Sequence, residues 1–353
     1  MNMSDKLIKV LIVDDSLFIQ KVLKDILDSD NNIEVIGFAK NGIEAIEKVA
    51  DLKPDVVTMD VEMPVMNGIE AVKRIMNENP VPIVMLSSLT YEGAEATLSA
   101  LDFGAVDFVQ KPTNIFKLNI EKNKNLIITK VKTAYKAKIY NSKEYYQKKI
   151  IKKTLPLPEK SKQTVIAIAI STGGPRALQY ILPLIPANIS ASILIVQHMP
   201  PNFTKSLAQR LDNISSIHVK EAENGEAVKQ GKVYIAPGGY HMKAIDNESG
   251  ISIQLTKDEP VSGHRPSGDV LFNSLANSKI RRQIIGVVMT GMGSDGTTGI
   301  INLKNNKGAY IIAQDEKSCI VYGMPKSVIK TGVVDEITPL EDIIKNIIIR
   351  LGV

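Results

Sequence analysis

The sequence predicts two α/β domains in series, separated by a basic segment. Three observations carry that reading. Short apolar runs alternate with amphipathic stretches over residues 7–120 and again over 164–350. That alternation marks a parallel sheet covered by helices on both faces. Several of the runs stop at a charged or hydroxyl residue, and the C-terminal edge of such a sheet is where ligands bind. Between the two patterns, residues 115–163 hold 14 lysines against 3 glutamates, although the whole chain carries only +5.

In the first pattern, residues 7–13 read as a buried strand ending at Asp14-Asp15, and Ile19, Val22, Leu23, Ile26 and Leu27 follow at helical spacing. Strand 33–39 precedes a helix marked by Ile43, Ile46 and Val49, and strand 55–59 ends at Asp60. A helix over 69–77 leads to strand 82–86, which stops at Ser87-Ser88. A helix over 91–102 leads to strand 106–109, just before Lys111-Pro112. The domain is expected to close near residue 120.

Residues 121–163 read as a linker. Val131, Tyr135 and Ile139 fall near one face of a partial helix, and Leu155-Pro156-Leu157-Pro158 favours extended chain. The lysines suit a solvated, self-repelling spacer, and also an affinity for polyanions.

The second pattern, 164–350, opens with strand 164–170 and the turn Ser171-Thr172-Gly173-Gly174-Pro175, then a helix over 176–184. Strand 191–196 runs into Gln197-His198-Met199-Pro200, before a helix over 202–212. Residues 217–256 read as short strands with glycine turns, expected as an antiparallel insertion. A helix over 269–277 precedes strand 284–290, which ends in Gly291-Met292-Gly293-Ser294-Asp295-Gly296. A helix, strand 309–313 and helices near 325–331 and 340–350 complete the domain.

Composition narrows the class. The 353 residues suit about two domains, and 44% hydrophobic with 23% charged residues excludes wholesale disorder. A single cysteine excludes an intramolecular disulfide or a Cys-rich zinc site. No apolar run approaches the ~18–20 residues that span a bilayer, and the first residues lack a signal-peptide cleavage pattern. A cytoplasmic protein without membrane insertion is expected.

Two constellations carry chemistry. Asp14, Asp15 and Asp60 converge on one sheet edge and call for a counter-charge, which a hard cation such as Mg²⁺ supplies. Ser87 and Lys111, on the next two strands, suit an anion beside that cation. Asp60 is then a candidate phosphoryl acceptor. Any one of these acids alone also fits an ordinary turn.

The second constellation is Ser171, His198 and Asp295, each at the end of a buried strand. A nucleophilic serine needs a base and an acid to orient it, and the glycine-rich helix start suits an oxyanion. Alternatives stay open. The Ser171 turn also suits a phosphate, although G-x-G-x-x-G and the P-loop lysine are absent. His198 also suits a structural histidine, and Asp295 a helix N-cap. His218, His241 and His264 are the other histidines, and Ser267 and Asp269 lie near His264.

The order Asp14-Asp15, Asp60, Ser87, Lys111-Pro112, with Met63-Pro64 and Asn67-Gly68, resembles the receiver domains of two-component response regulators. The resemblance implies a flavodoxin-like (βα)5 fold over 7–120, phosphorylation at Asp60, and Mg²⁺ held by Asp14, Asp15, Asp60 and the Glu62 carbonyl. It makes Ser87, Phe108 and Lys111 the switch residues, with a cis Lys111-Pro112 bond.

The motifs at 171–175, 197–201 and 290–296, with Ala236-Pro237-Gly238-Gly239, His264-Arg265-Pro266-Ser267 and Gly323-Met324-Pro325, resemble the chemotaxis protein-glutamate methylesterases. That resemblance implies a doubly wound α/β catalytic domain with Ser171 as nucleophile, His198 as base and Asp295 as its orienter. Thr172 and Met292 line the site, and the Met292 amide is a candidate oxyanion donor. Expected partners are methyl-accepting chemotaxis receptors as substrate and a chemotaxis histidine kinase as phosphodonor, with no nucleic acid. Ester hydrolysis is expected to need no cofactor, and phosphorylation is expected to activate it. A receiver-controlled DNA-binding regulator is the alternative, supported by the basic segment, and a nucleotide-binding output is another.

Overall fold

The computed structural model describes residues 7–88, 90–111, 120–139, 164–247, 250–279 and 282–352; of the helix over 120–135 it gives side chains from residue 124 onward. The chain divides into two compact units, Met1–Lys149 and Ile150–Val353.

The first unit holds strands β1 (Ile8–Val13), β2 (Ile33–Ala39), β3 (Val56–Asp60), β4 (Ile83–Ser87) and β5 (Asp107–Gln110). They form one parallel sheet in the order β2-β1-β3-β4-β5. The helices are α1 (Leu17–Leu27), α2 (Gly42–Leu52), α3 (Gly68–Glu78), α4 (Tyr91–Asp102) and α5 (Ile120–Tyr135). Ser16, Asn41, Asn67 and Thr90 cap the first four by accepting amide hydrogens on their side chains. The strand order reverses between β1 and β3, so Asp14 and Asp60 flank a topological switch point.

Helix α5 corrects the expected boundary at 120. It packs against α1 and the sheet, and buries Ile127, Ile128, Val131 and Ala134. Lys130 pairs with Asp107 and Lys132 with Asp30, each at 2.5 Å. The first body therefore runs through the start of the expected 121–163 linker. Lysines and asparagines interleaved with the apolar positions hide the helix's stripe from a reading of the sequence. Pro112 and residues 140–163 lie outside the described residues, and with them the cis-bond and Leu-Pro expectations.

The second unit holds a seven-stranded sheet in the order β14-β13-β12-β6-β7-β9-β8, parallel throughout. The strands are β6 (Thr164–Ile170), β7 (Ala191–Gln197), β8 (His218–Glu221), β9 (Lys232–Ile235), β12 (Ile284–Val288), β13 (Tyr310–Gln314) and β14 (Glu336–Thr338). The three central strands, β12, β6 and β7, are buried along their whole length, the continuous apolar run of a doubly covered sheet. An antiparallel hairpin, β10 (His241–Asn247) with β11 (Gly250–Thr256), packs on the helix Gly268–Ala276. Among the named strands of the described residues, only this hairpin pairs antiparallel. The segments 218–221 and 232–235, expected inside the same insertion, extend the main sheet instead, because periodicity reports a strand's faces and not its direction. Strand β14, three residues long, is too short to leave a pattern.

Among the described residues, no helix is long and apolar enough to cross a membrane.

Candidate active site

Ser171 follows β6, His198 follows β7, and Asp295 lies in the loop after β12. These three strands are neighbours in the order β12-β6-β7. Ile170 and Gln197 are register partners, and the His198 amide donates to the Ile170 carbonyl at 3.1 Å. On the other side, the Ser171 amide donates to the Thr290 carbonyl at 3.0 Å. The ladder thus carries positions 171 and 198 out of the sheet side by side, each one residue past a shared rung on adjacent strands.

His198 Nε2 lies 2.7 Å from Asp295 Oδ2. The same carboxylate accepts the Ser267 hydroxyl at 2.6 Å and the amides of Gly268 and Asp269 at 2.6 and 3.2 Å. Burial pushes the Asp295 carboxyl up, but the His198 hydrogen bond and charge, with Ser267 and the Gly268 amide, outweigh it and hold the pKa at about 2. An ionised carboxylate only accepts, so Nε2 carries the imidazole proton of neutral His198. Its lone pair is then on Nδ1, which is buried and makes no hydrogen bond.

Asp295 does not cap the helix that follows it, Thr297–Lys307; Gly296 sits at that cap without a side-chain bond. Asp295 caps Gly268–Ala276, while Asp269 accepts the Gly299 amide at 2.7 Å from Thr297–Lys307. Gly268 permits this close approach, since a Cβ there would stand 2.6 Å from Ala169 Cβ.

The floor of the site is equally fixed. Gln197 Nε2 donates to the Ser171 carbonyl at 3.0 Å. The carbonyl of buried Thr172 accepts the Thr290 hydroxyl at 2.9 Å. Half-buried Met292 follows Gly291, whose carbonyl takes the Gly323 and Met324 amides at 3.0 and 2.8 Å. Thr172 and Met292 therefore share the edge that carries Ser171.

The other histidines divide. His218 is exposed and pairs with Asp212 at 3.0 Å, and buried His241 bonds the Glu259 carbonyl at 3.1 Å. His264 stacks on His198, with ring centroids 3.9 Å apart and planes 9° from parallel. Ser267 and Asp269, read from sequence as a competing set around His264, both serve Asp295. Their closeness to His264 in the sequence was the available signal; that they meet Asp295, 26 or more residues on, was not.

In the first unit, Asp14, Asp15 and Asp60 can each offer an oxygen within 4.8 Å of the others. Lys111 Nζ lies 2.5 Å from Asp60 Oδ2 and 3.2 Å from Asp14 Oδ2. Outside those ion pairs, both buried oxygens lack a partner. Burial raises the Asp60 pKa to about 6, Lys111 opposing and Asp14 adding to the rise. Burial likewise raises Asp14. It pushes Lys111 down, but Asp60 and Asp14 outweigh it, so the ammonium is retained. A cluster of carboxylate oxygens short of partners fits a hard divalent cation. Exposed Glu62 has its amide 3.4 Å from Asp60 Oδ1, which brings its backbone to the cluster. The Ser87 hydroxyl donates to the Gly93 carbonyl at 3.1 Å and accepts from Thr97 at 2.7 Å. Phe108 is buried.

The two bodies define a class: a hydrolase carrying a receiver on the same chain. The CheB methylesterase model matches residues 166–347, and the response regulator receiver domain model matches residues 10–121. The chain is 50% identical over 342 residues to the protein-glutamate methylesterase/protein-glutamine glutaminase of Halalkalibacterium halodurans, covering 97% of each. It is 47% identical over 350 residues to the protein of that name from Pyrococcus abyssi, covering 99% of this chain and 95% of that one. The crystal structure of the Thermotoga maritima CheB methylesterase catalytic domain superposes with a TM-score of 0.52 at 43% identity, covering 54% of this chain and 99% of that one. The chain belongs to the CheB methylesterase family.

Proposed function

We propose that the protein hydrolyses the γ-methyl esters of glutamates on methyl-accepting chemotaxis receptors, and deamidates receptor glutamines, under control of phosphorylation at Asp60. The observation that carries the chemistry is the 2.7 Å contact of His198 Nε2 with Asp295, with Ser171 at the matching position on the adjacent strand.

Ser171 Oγ forms a bond to the ester carbonyl carbon while His198 Nδ1 takes its proton. Collapse breaks the carbon–methoxy bond, and the proton leaves with methanol. Water then attacks the glutamyl-enzyme, again losing its proton to His198, which returns it to Ser171 as the free glutamate departs. For a glutamine the leaving group is ammonia. Asp295 keeps the imidazole in the tautomer the first step needs, and stabilises the imidazolium. The Met292 amide supplies an oxyanion donor.

In the receiver, Asp14, Asp15, Asp60 and the Glu62 carbonyl would hold Mg²⁺, which neutralises charge on the transferred phosphoryl group. Lys111 steadies the phosphoryl oxygens. A chemotaxis histidine kinase is the donor. The DNA-binding alternative has no support, since the second body matches the methylesterase domain along nearly its whole length.

The test is methanol release from methylated receptor, with and without a small phosphodonor. Release should be faster with the donor and vanish in Ser171→Ala, which still accepts phosphate on Asp60. Hydrolysis surviving in Ser171→Ala would overturn the assignment.

A further inference from the structure

We infer that His264 is a positioning residue for the base, acting through the face of the His198 ring; the inference rests on the esterase reading above. The Asp295 hydrogen bond fixes one point in the plane of the His198 imidazole. A histidine's second side-chain torsion is broad, so one in-plane bond leaves the ring free to tilt about that contact. The parallel ring at 3.9 Å removes this freedom. It also offers a π face to the imidazolium that forms when His198 takes the serine proton.

The backbone under His264 is built to hold that ring still. Val261 and His264 exchange two backbone hydrogen bonds, of 3.1 and 2.9 Å, across a turn in which Ser262 and Gly263 adopt left-handed φ values of 51° and 81°. Next in the chain, the Arg265 guanidinium donates to the carbonyls of Lys257 and Asp258 at 2.9 and 3.0 Å. The Arg265 carbonyl accepts the Gly239 amide at 3.1 Å. Ser267, Gly268 and Asp269 then engage Asp295. One short segment thus grips the base through His264 and the orienting acid through its next residues. Since the turn is closed by main-chain bonds, trimming the His264 side chain leaves the loop standing.

The experiment uses the full chain with His264→Ala and His264→Phe, reading kcat and KM for methanol release separately, with imidazole NMR of His198 alongside. His264→Ala should lower kcat on the order of tenfold, a share of the roughly 10²–10⁴ that a positioned base contributes, with KM nearly unchanged. His264→Phe, which restores a flat ring, should recover most of that loss. The His198 ring signals should move in the alanine variant and return toward their original position in the phenylalanine one. An unchanged kcat in His264→Ala, or equal losses in both variants, would overturn the inference. No methanol release from the unaltered chain would instead refute the esterase reading. The NMR arm then decides alone: signals that move in His264→Ala support the contact, and signals that stay in place overturn it.

Discussion

Asp295 and Asp269 cap each other's helices. Asp295, just before Thr297–Lys307, accepts amides from Gly268–Ala276, and Asp269, inside Gly268–Ala276, accepts the Gly299 amide of Thr297–Lys307. The carboxylate that orients His198 is therefore also a joint between two helices, and its position is set by the frame of the domain.

Removing the Asp269 acceptor should loosen that joint. Asp269→Ala is expected to cost about 0.5–2 kcal/mol, the range of a lost helix cap, and to lower kcat through Asp295. Asp269→Asn keeps an acceptor oxygen and relieves the repulsion from Asp295 that, with burial as the larger cause, raises the Asp269 pKa. It should be the milder change. Urea unfolding and methanol-release kinetics on both variants check this.

The Asp295 ionisation gives a pH signature. Its carboxyl falls from an ordinary 3.8 to about 2 in the fold, so the folded state binds this proton less readily than the unfolded one. The resulting stability, roughly 2 kcal/mol at ~1.4 kcal/mol per unit, is fully present above pH ~4. It is lost as the pH falls from there through about 2. Asp295→Asn lacks it. The stability gap between wild type and Asp295→Asn should thus shrink on acidification across that window; a constant gap in denaturant titrations would contradict it.

Gly291 stands against Ser171. A Cβ there would lie 2.8 Å from Ser171 Cβ and 2.4 Å from Met324 Sδ. Methionine can yield, but the serine backbone is pinned to Thr290 and Gln197. Gly291→Ala should cut kcat by more than tenfold, on the order expected for a misplacement near ~1 Å, while phosphorylation of Asp60 proceeds. Rapid-quench measurement of methanol release tests it.

In the receiver, burial holds the Asp60 pKa near 6, so ionising Asp60 costs folding free energy as the pH rises from ~4 through 6. Asp60→Asn should raise the first unit's unfolding midpoint at pH 7 in metal-free buffer, Lys111 keeping Asp14 as partner. Mg²⁺ should stabilise the wild type by about 2.7 kcal/mol at 100-fold over its dissociation constant, and Asp60→Asn much less. Calorimetry with and without Mg²⁺ distinguishes these outcomes.

The strands that end at Asp14, Asp60, Ser171 and His198 were legible because parallel strands buried along all or nearly all their length write themselves as largely apolar runs. The chain also marks their ends with polar residues. Three things were not legible. Val131 marked a partial helix, but the packing of Ile127, Ile128, Val131 and Ala134 on the first unit stayed hidden among lysines. The direction of 218–221 and 232–235 depends on which neighbour each strand finds. The service that Ser267 and Asp269 give to Asp295 links residues far apart in the chain, and no local pattern encodes such a meeting.

The shared rung of Ile170 and Gln197 also bears on how such a chain can change over generations. Insertions or deletions in the loop between Leu184 and Ala191 fall outside the ladder that sets Ser171 beside His198. Such a loop can drift or lengthen while Ser171 and His198 keep their register. By contrast, one residue gained or lost within β6 or β7 would turn the alternate face of the strand toward the cleft and silence the enzyme at a stroke.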